Sequence, residues 1–448
     1  MTTDKPLRIA FVHPDLGIGG AERLIVDAAT GLQRLGHHVT VFTSHHDSTH
    51  CFQETRDGTL DVRVLGNTLV PRSMGGRFYI FCAWLRGWHL CLHLLWNQRS
   101  TYDVVICDQL SAYIPILRGL TSRILFYCHF PDKYLVQPGG LLKRLYRVLF
   151  DYLEEHTTAL ADRVVVNSHF TAQVFQKAFP SIQNVPHVLH PGIHTAAYDH
   201  PVDNEDPLLE PLRLSRPFLL SINRFERKKN IQLAIDTLAR AHLRDPSARL
   251  QLVVAGGYDK RVSENVEYLQ ELIHNTDTLG LSSVTLWADG KPSGALPPEA
   301  DVIFLPSFTE NQRTYLLRNA LCLLYTPSFE HFGIVPVEAM YARLPVIAVN
   351  SGGPKETVVH EVTGFLCPPD PEEFSRWVHE LHKGSIDPVT MGERGRAHVL
   401  ANFTLDTFIQ TLDTFVTELA TLQRSSSSVW SGLLALLILA LVIGYNWL

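Results

Sequence analysis

The segment Ser328-Phe329-Glu330-His331-Phe332-Gly333-Ile334-Val335-Pro336-Val337-Glu338-Ala339-Met340 sets two carboxylates, with seven residues between them, across a turn and the start of a helix. Gly333 lets backbone come close to a ligand, and the free N–H groups that open the helix suit phosphate. Glu338 lies about one turn further in, so phosphate and hydroxyl groups can be held together. That is chemistry for gripping a sugar nucleotide. A solvated acidic helix has the same spacing, so the reading rests on partners elsewhere in the chain.

Those partners sit at the ends of apolar runs. Leu7-Arg8-Ile9-Ala10-Phe11-Val12 reads as a buried strand, followed by Asp15-Leu16-Gly17-Ile18-Gly19-Gly20-Ala21-Glu22 and a helix patterned by Leu24, Ile25, Ala28, Leu32 and Leu35. A glycine loop feeding a helix N-terminus favours a diphosphate through exposed N–H groups and the positive end of the dipole; a plain strand-to-helix turn is the bland alternative. The third glycine of the dinucleotide fingerprint is replaced by Glu22, and no acid ends the strand at residues 38–43, which disfavours NAD. Phe218-Leu219-Leu220-Ser221-Ile222 runs into Asn223-Arg224-Phe225-Glu226-Arg227-Lys228-Lys229-Asn230, where Arg224 and Lys229 are placed to neutralise a leaving diphosphate, unless the run is a solvated basic loop. Gly256 and Gly257, ending another strand, leave room for a nucleoside.

With Tyr127-Cys128-His129-Phe130-Pro131-Asp132 and Asn167-Ser168, these motifs resemble the retaining GT-B glycosyltransferases that use nucleoside diphosphate sugars. Within them the chain is most similar to the dolichol-pathway α-1,3/α-1,6-mannosyltransferases, over nearly its whole length. The resemblance implies two doubly wound Rossmann-like α/β domains facing a central cleft. It implies GDP-mannose as donor and a mannosylated chitobiosyl diphosphodolichol as acceptor, with the mannose added first in α-1,3 and then in α-1,6 linkage. It assigns the diphosphate to Gly19, Gly20, Arg224 and Lys229, the ribose to Glu338, the mannose to Glu330 and the neighbourhood of the anomeric centre to His129. The expected catalytic set is therefore His129, Glu330, Arg224 and Lys229, and the expected donor-binding set is Gly19, Gly20, Arg224, Lys229, Gly256, Gly257, Glu330 and Glu338. His129 read alone is equally a structural histidine in a loop.

No Asp-x-Asp pair and no His-Glu-x-x-His or Cys/His zinc spacing occurs, so no metal and no cofactor is expected; His45-His46 reads as solvated loop. Retention then proceeds through an oxocarbenium-like state in which stabilising the departing GDP contributes most. A covalent intermediate on a carboxylate is the other retaining route. Two further readings fit the motifs: a GT-B enzyme with another nucleotide-sugar donor, or a non-catalytic membrane scaffold of the same fold.

The 448 residues, 46% hydrophobic and 19% charged, suit two globular domains, and 39 basic against 45 acidic residues leaves no electrostatic footprint for nucleic acid. The expected divisions are 1–198 for the acceptor domain, 199–216 for a linker, 217–424 for the nucleotide-sugar domain and 429–448 for a transmembrane anchor. That last segment carries no charge, and about 20 helical residues rise about 30 Å, enough to cross a bilayer; a buried helix is the alternative. No secretory leader is read before the first strand, and the 7 cysteines form no C-x-x-C pair, which suits a reducing compartment. The expected location is the endoplasmic reticulum membrane with both domains on the cytosolic face. The sequon at Asn402 then goes unused. A complex with other glycosyltransferases of the pathway is expected too. Residues 78–96, with three tryptophans, and 141–150, basic with apolar flanks, suit either a membrane interface or the domain core.

Overall fold

The computed structural model describes residues 5–65, 70–71, 73, 79–97, 101–120, 122–135, 140–287 and 300–422. They form two compact units, one running to Pro191 and resuming at Asp406, the other spanning Gly192–Leu405. Among these residues no helix is long and apolar enough to cross a membrane. The expected anchor at 429–448 lies outside the described residues.

The first unit holds a parallel sheet of seven strands: β1 (Arg8–Leu16), β2 (His38–His46), β3 (Asp61–Val64), β4 (Val104–Asp108), β5 (Arg123–Cys128), β6 (Arg163–Val166) and β7 (His187–Val188), in the order 3-2-1-4-5-6-7. The second repeats the architecture with β8 (Phe218–Ile222), β9 (Gln251–Gly256), β10 (Ser283–Thr285), β11 (Val302–Pro306), β12 (Cys322–Tyr325), β13 (Val346–Val349) and β14 (Gly364–Cys367), in the order 10-11-9-8-12-13-14. Strands β4, β8, β9 and β11 are buried along their whole length, as parallel strands covered by helices on both faces must be. The strand order reverses between β1 and β4 in one sheet and between β8 and β12 in the other. Ligands of doubly wound sheets bind beyond the carboxyl ends of the strands at that reversal.

Three expectations about organisation are corrected. Residues 199–216 are not a free linker: the 3-10 helix Pro207–Leu212 buries Leu209 and Leu212 in the core of the second unit. The final helix, Leu405–Thr421, leaves the second unit and packs on the first. It sets Ile409 against Gly31, Asp413 2.7 Å from His37 and Glu418 3.0 Å from Arg163. Its apolar stripe, Phe408, Ile409, Leu412, Val416 and Leu419, gains its burial there. His45 and His46 are the last residues of β2 rather than a solvated loop, with His46 Nε2 3.0 Å from the Thr55 hydroxyl.

The tryptophan-rich helix Tyr79–Asn97 is chiefly core. Trp84, Trp88, Leu90, Cys91 and Leu94 are buried, and the Trp88 indole donates to the Ala112 carbonyl at 2.9 Å, whereas Leu92 and Trp96 face outward. Helix Leu141–Thr158 likewise buries Phe150 and Leu153 while exposing Val148 and Tyr152.

Candidate active site

In the second unit, the turn after β8 and the loop after β12 meet. Lys229 closes the 3-10 turn Arg227–Lys229, and its backbone carbonyl accepts from the Thr326 hydroxyl at 2.8 Å, just past β12. Its ammonium donates to Glu330 Oε2 at 2.5 Å. Burial opposes ionisation of Glu330, but the Lys229 charge and hydrogen bond outweigh it and hold the carboxyl below its ordinary range. The Glu330 loop is tied down from behind. The Gly353 N–H donates to the Glu330 carbonyl at 2.7 Å, the Ser351 hydroxyl accepts from the Phe329 N–H at 3.0 Å, and a Cβ on Gly352 would stand 2.4 Å from the Glu330 carbonyl oxygen. Gly333 takes φ +83 at the start of helix Ile334–Tyr341, the left-handed conformation that a glycine adopts without strain.

The other expected residues of this unit separate. Glu338 does not join the Lys229–Glu330 pair. It faces Arg313, 3.5 Å away, and the Tyr198 hydroxyl, with the Arg313 guanidinium lying 4.7 Å over the Tyr198 ring. Burial raises the Glu338 carboxyl above its usual value despite Arg313. Arg224 pairs with Glu226 at 3.1 Å and its side chain is 62% exposed. Gly256 has a structural cause: a Cβ there would lie 1.6 Å from the Asn223 carbonyl oxygen, because the ends of β8 and β9 touch. Gly257 is looser, its added Cβ meeting only the Arg224 side chain at 3.3 Å.

In the first unit, His129 follows β5, and its Nε2 lies 2.9 Å from Asp108 Oδ2 at the end of β4. The other Asp108 oxygen lies 2.7 Å from His13 Nδ1 on β1, and His13 Nε2 is 3.9 Å from Glu22. Asp108 and the His13 side chain are fully buried, whereas the His129 side chain keeps 24% of its surface exposed. Burial alone would lower the His13 pKa. The charge and hydrogen bond of Asp108, then Glu22, overcome it and push the imidazole up to about 10. Asp108 stays below the usual carboxylate range despite its burial, because two histidines face it. The Asn167 amide fixes the His129 carbonyl at 3.1 Å, and Tyr127 packs against the imidazole with ring centroids 4.8 Å apart. Gly19 is extended at the start of helix Gly20–Arg34. A Cβ on it would reach the Glu22 carboxylate at 2.3 Å, whereas one on Gly20 would meet nothing within 4 Å.

Asp108 and His13 escape a reading by motif, since a lone acid after a strand and a histidine inside an apolar strand carry no spacing. Their signal is topological: β1 pairs with β4 and sets Val12 beside Cys107. Backbone strain marks the same places. Gln109 after Asp108, Asn230 after Lys229 and Phe329 before Glu330 all take φ between +47 and +60. Such left-handed, non-glycine residues are uncommon and cluster at functional sites.

Two doubly wound sheets with charged side chains gathered at their strand reversals define the two-domain GT-B architecture. Solved structures agree on the fold. Sucrose-phosphate synthase from Thermosynechococcus elongatus aligns over 92% of this chain and 99% of its own at TM-score 0.66 and 22% identity. Anabaena HepE in complex with UDP and glucose aligns over 92% and 100% at TM-score 0.65 and 20% identity. Residues 18–197 match the family model "Glycosyltransferase Family 4", and residues 209–398 match "Glycosyl transferases group 1". The chain is 50% identical to the α-1,3/1,6-mannosyltransferase ALG2 of Rhizomucor pusillus, over 95% of both chains. It is 46% identical to the protein of that name from Homo sapiens, over 92% of this chain and 96% of the other. The chain belongs to the α-1,3/1,6-mannosyltransferase family and is a glycosyltransferase.

Proposed function

We propose that this protein transfers mannose from GDP-mannose to a Man1GlcNAc2-diphosphodolichol acceptor, first in α-1,3 and then in α-1,6 linkage, during lipid-linked oligosaccharide assembly for protein N-glycosylation. The observation that carries the proposal is the 50% identity, across 95% of both chains, to an α-1,3/1,6-mannosyltransferase.

In this reading the second unit takes the donor. Lys229 meets the departing diphosphate as a localised charge, and Arg224, largely exposed and paired at the surface with Glu226, turns its guanidinium to the same group. Glu330, kept ionised by Lys229, accepts from mannose hydroxyls. Glu338 takes the ribose hydroxyls, with Arg313 and Tyr198 fixing its carboxylate. Gly257 gives the nucleoside access, while Gly256 holds the strand ends together. The first unit takes the sugar and the acceptor. Gly19 and Gly20 offer the amide end of helix Gly20–Arg34 to the diphosphate, and His129, oriented by Asp108, stands at the sugar. Neutralising the leaving GDP lowers the barrier to an oxocarbenium-like state, and these cations and amides supply it without a metal.

The same reading places the protein at the endoplasmic reticulum membrane, its two units on the cytosolic face, anchored through residues 429–448 and in contact with lipid and with other glycosyltransferases of the pathway. Calorimetric titration of the protein with GDP-mannose and UDP-glucose tests the donor. Binding of GDP-mannose in preference to UDP-glucose is expected; preference for UDP-glucose would give the site to another donor.

A further inference from the structure

We propose that Glu154 is a positioning residue of the transfer reaction: its carboxylate clamps the loop that carries His129. This rests on the assignment of His129 to the sugar.

Glu154 lies in helix Leu141–Thr158, and its two oxygens reach separate donors on the loop after β5. Oε1 accepts the Asp132 N–H at 2.7 Å and Oε2 accepts the Lys133 N–H at 3.2 Å, which fixes the first turn of the 3-10 helix Asp132–Tyr134. The loop leaving β5 is therefore pinned at both ends. Asp108 holds the His129 ring and Asn167 its carbonyl, while Glu154 holds the backbone three and four residues on. Among the described residues, a carboxylate in this place does what no nearby backbone group does, because the opening N–H groups of a 3-10 turn have no partner within it. Two oxygens each accepting an N–H favour the ionised form, since protonation puts a hydrogen on one oxygen and weakens it as an acceptor.

The surroundings make that ionisation sensitive to pH. Burial pushes the Glu154 carboxyl up to about 7, and the nearby Asp132 carboxylate adds to it; the two N–H bonds and the Arg147 guanidinium only partly offset this. Among the described residues, the charged and titratable groups near it are Asp132 and Lys133 on the loop and Arg147 on its own helix, with Asp151 behind Arg147 and the Cys128 thiol on β5. Arg147 bridges Asp132 at 2.7 Å and Asp151 at 2.5 Å. As pH falls through about 7 the carboxyl takes a proton, one of the two N–H bonds is lost, and the His129 loop loosens.

The test has two arms, both on the full chain. In the first, hydrogen exchange of the peptide spanning residues 130–135, corrected for the intrinsic pH dependence of exchange, is followed from pH 5.5 to 8.5. In the wild type, protection of the Asp132 and Lys133 amides falls below about pH 7; in Glu154→Gln it is low throughout, while a peptide from β8 stays protected in both. In the second arm, kcat for mannose transfer is measured over the same range. The wild type loses activity on the acid side with a midpoint near 7. Glu154→Gln has kcat lowered about tenfold, no acid limb at that midpoint and an unchanged KM for the donor. A merely structural glutamate would lower the melting temperature and leave the acid limb in place. Protection that ignores pH in the wild type, or an acid limb that persists in Glu154→Gln, overturns the proposal. Absence of transfer by the wild type would instead overturn the proposed function, and the exchange arm would still decide the clamp.

Discussion

Lys229 and Glu330 stand 101 positions apart in sequence, yet their side chains meet at 2.5 Å where the second sheet reverses its strand order. The Lys229 charge holds Glu330 ionised. Without Lys229, Glu330 becomes a half-buried carboxylate that has lost its nearest cation; without Glu330, the ammonium loses the carboxylate that fixes it.

Lys229→Ala is expected to reduce kcat/KM by about 10²- to 10³-fold, the range for losing one pre-positioned group that stabilises developing charge. Glu330→Gln should cost a comparable factor. Because the two act as a unit, the double variant should lose little more than either single one, so a double-mutant cycle should show a coupling about as large as one single loss, about 3–4 kcal/mol. Independent, additive losses would show that the pair does not act together.

Asp108→Ala leaves His13 buried without its main counter-charge and His129 without its anchor. Breaking a buried pair in this way costs about 3–5 kcal/mol, which urea unfolding will register as a lower midpoint at unchanged slope. A shift of less than about 1 kcal/mol would mean that the cluster is not ionised as described.

The raised pKa of His13 sets the sign of a pH dependence. Its contribution to stability is complete below the unfolded value of about 6.5 and is lost as pH rises through the folded value of about 10. The unfolding free energy of the wild type should therefore fall between about pH 6.5 and 10 more steeply than that of His13→Asn. Equal slopes in the two proteins would contradict the assignment.

The glycines separate structure from function. Gly256→Ala forces a methyl into the Asn223 carbonyl and should destabilise the protein by about 3 kcal/mol or more. Gly20→Ala meets open space in a helix and should leave the melting temperature nearly unchanged. If a diphosphate approaches there, that variant should still raise KM for the donor several-fold. An unchanged KM would remove Gly20 from the donor site.

Much of this molecule is legible in its sequence because parallel strands buried on both faces read as apolar runs, and ten of the fourteen strands among the described residues do so. The four that do not, β3, β7, β10 and β14, are outer strands of two to four residues, too short for a period to register. Glu330 and Lys229 were visible as motif residues, but only pairing of β8 with β12 brings them together. Glu338 was visible by spacing, yet its partners Arg313 and Tyr198 come from elements with no motif. Asp108 was invisible because its meaning depends on histidines 95 positions before it and 21 after. The final helix reads as an ordinary amphipathic segment, and nothing local says which unit its apolar stripe will cover.

The central claim is mannose transfer, and product analysis tests it most directly. The protein, reconstituted in membranes, is incubated with GDP-mannose and a synthetic lipid-linked Man1GlcNAc2, with Lys229→Ala and Glu330→Ala alongside. Addition of two mannoses, one α-1,3 and one α-1,6, abolished or nearly so in both variants, is the predicted result. A wild-type protein that binds GDP-mannose but leaves the acceptor unextended would contradict it.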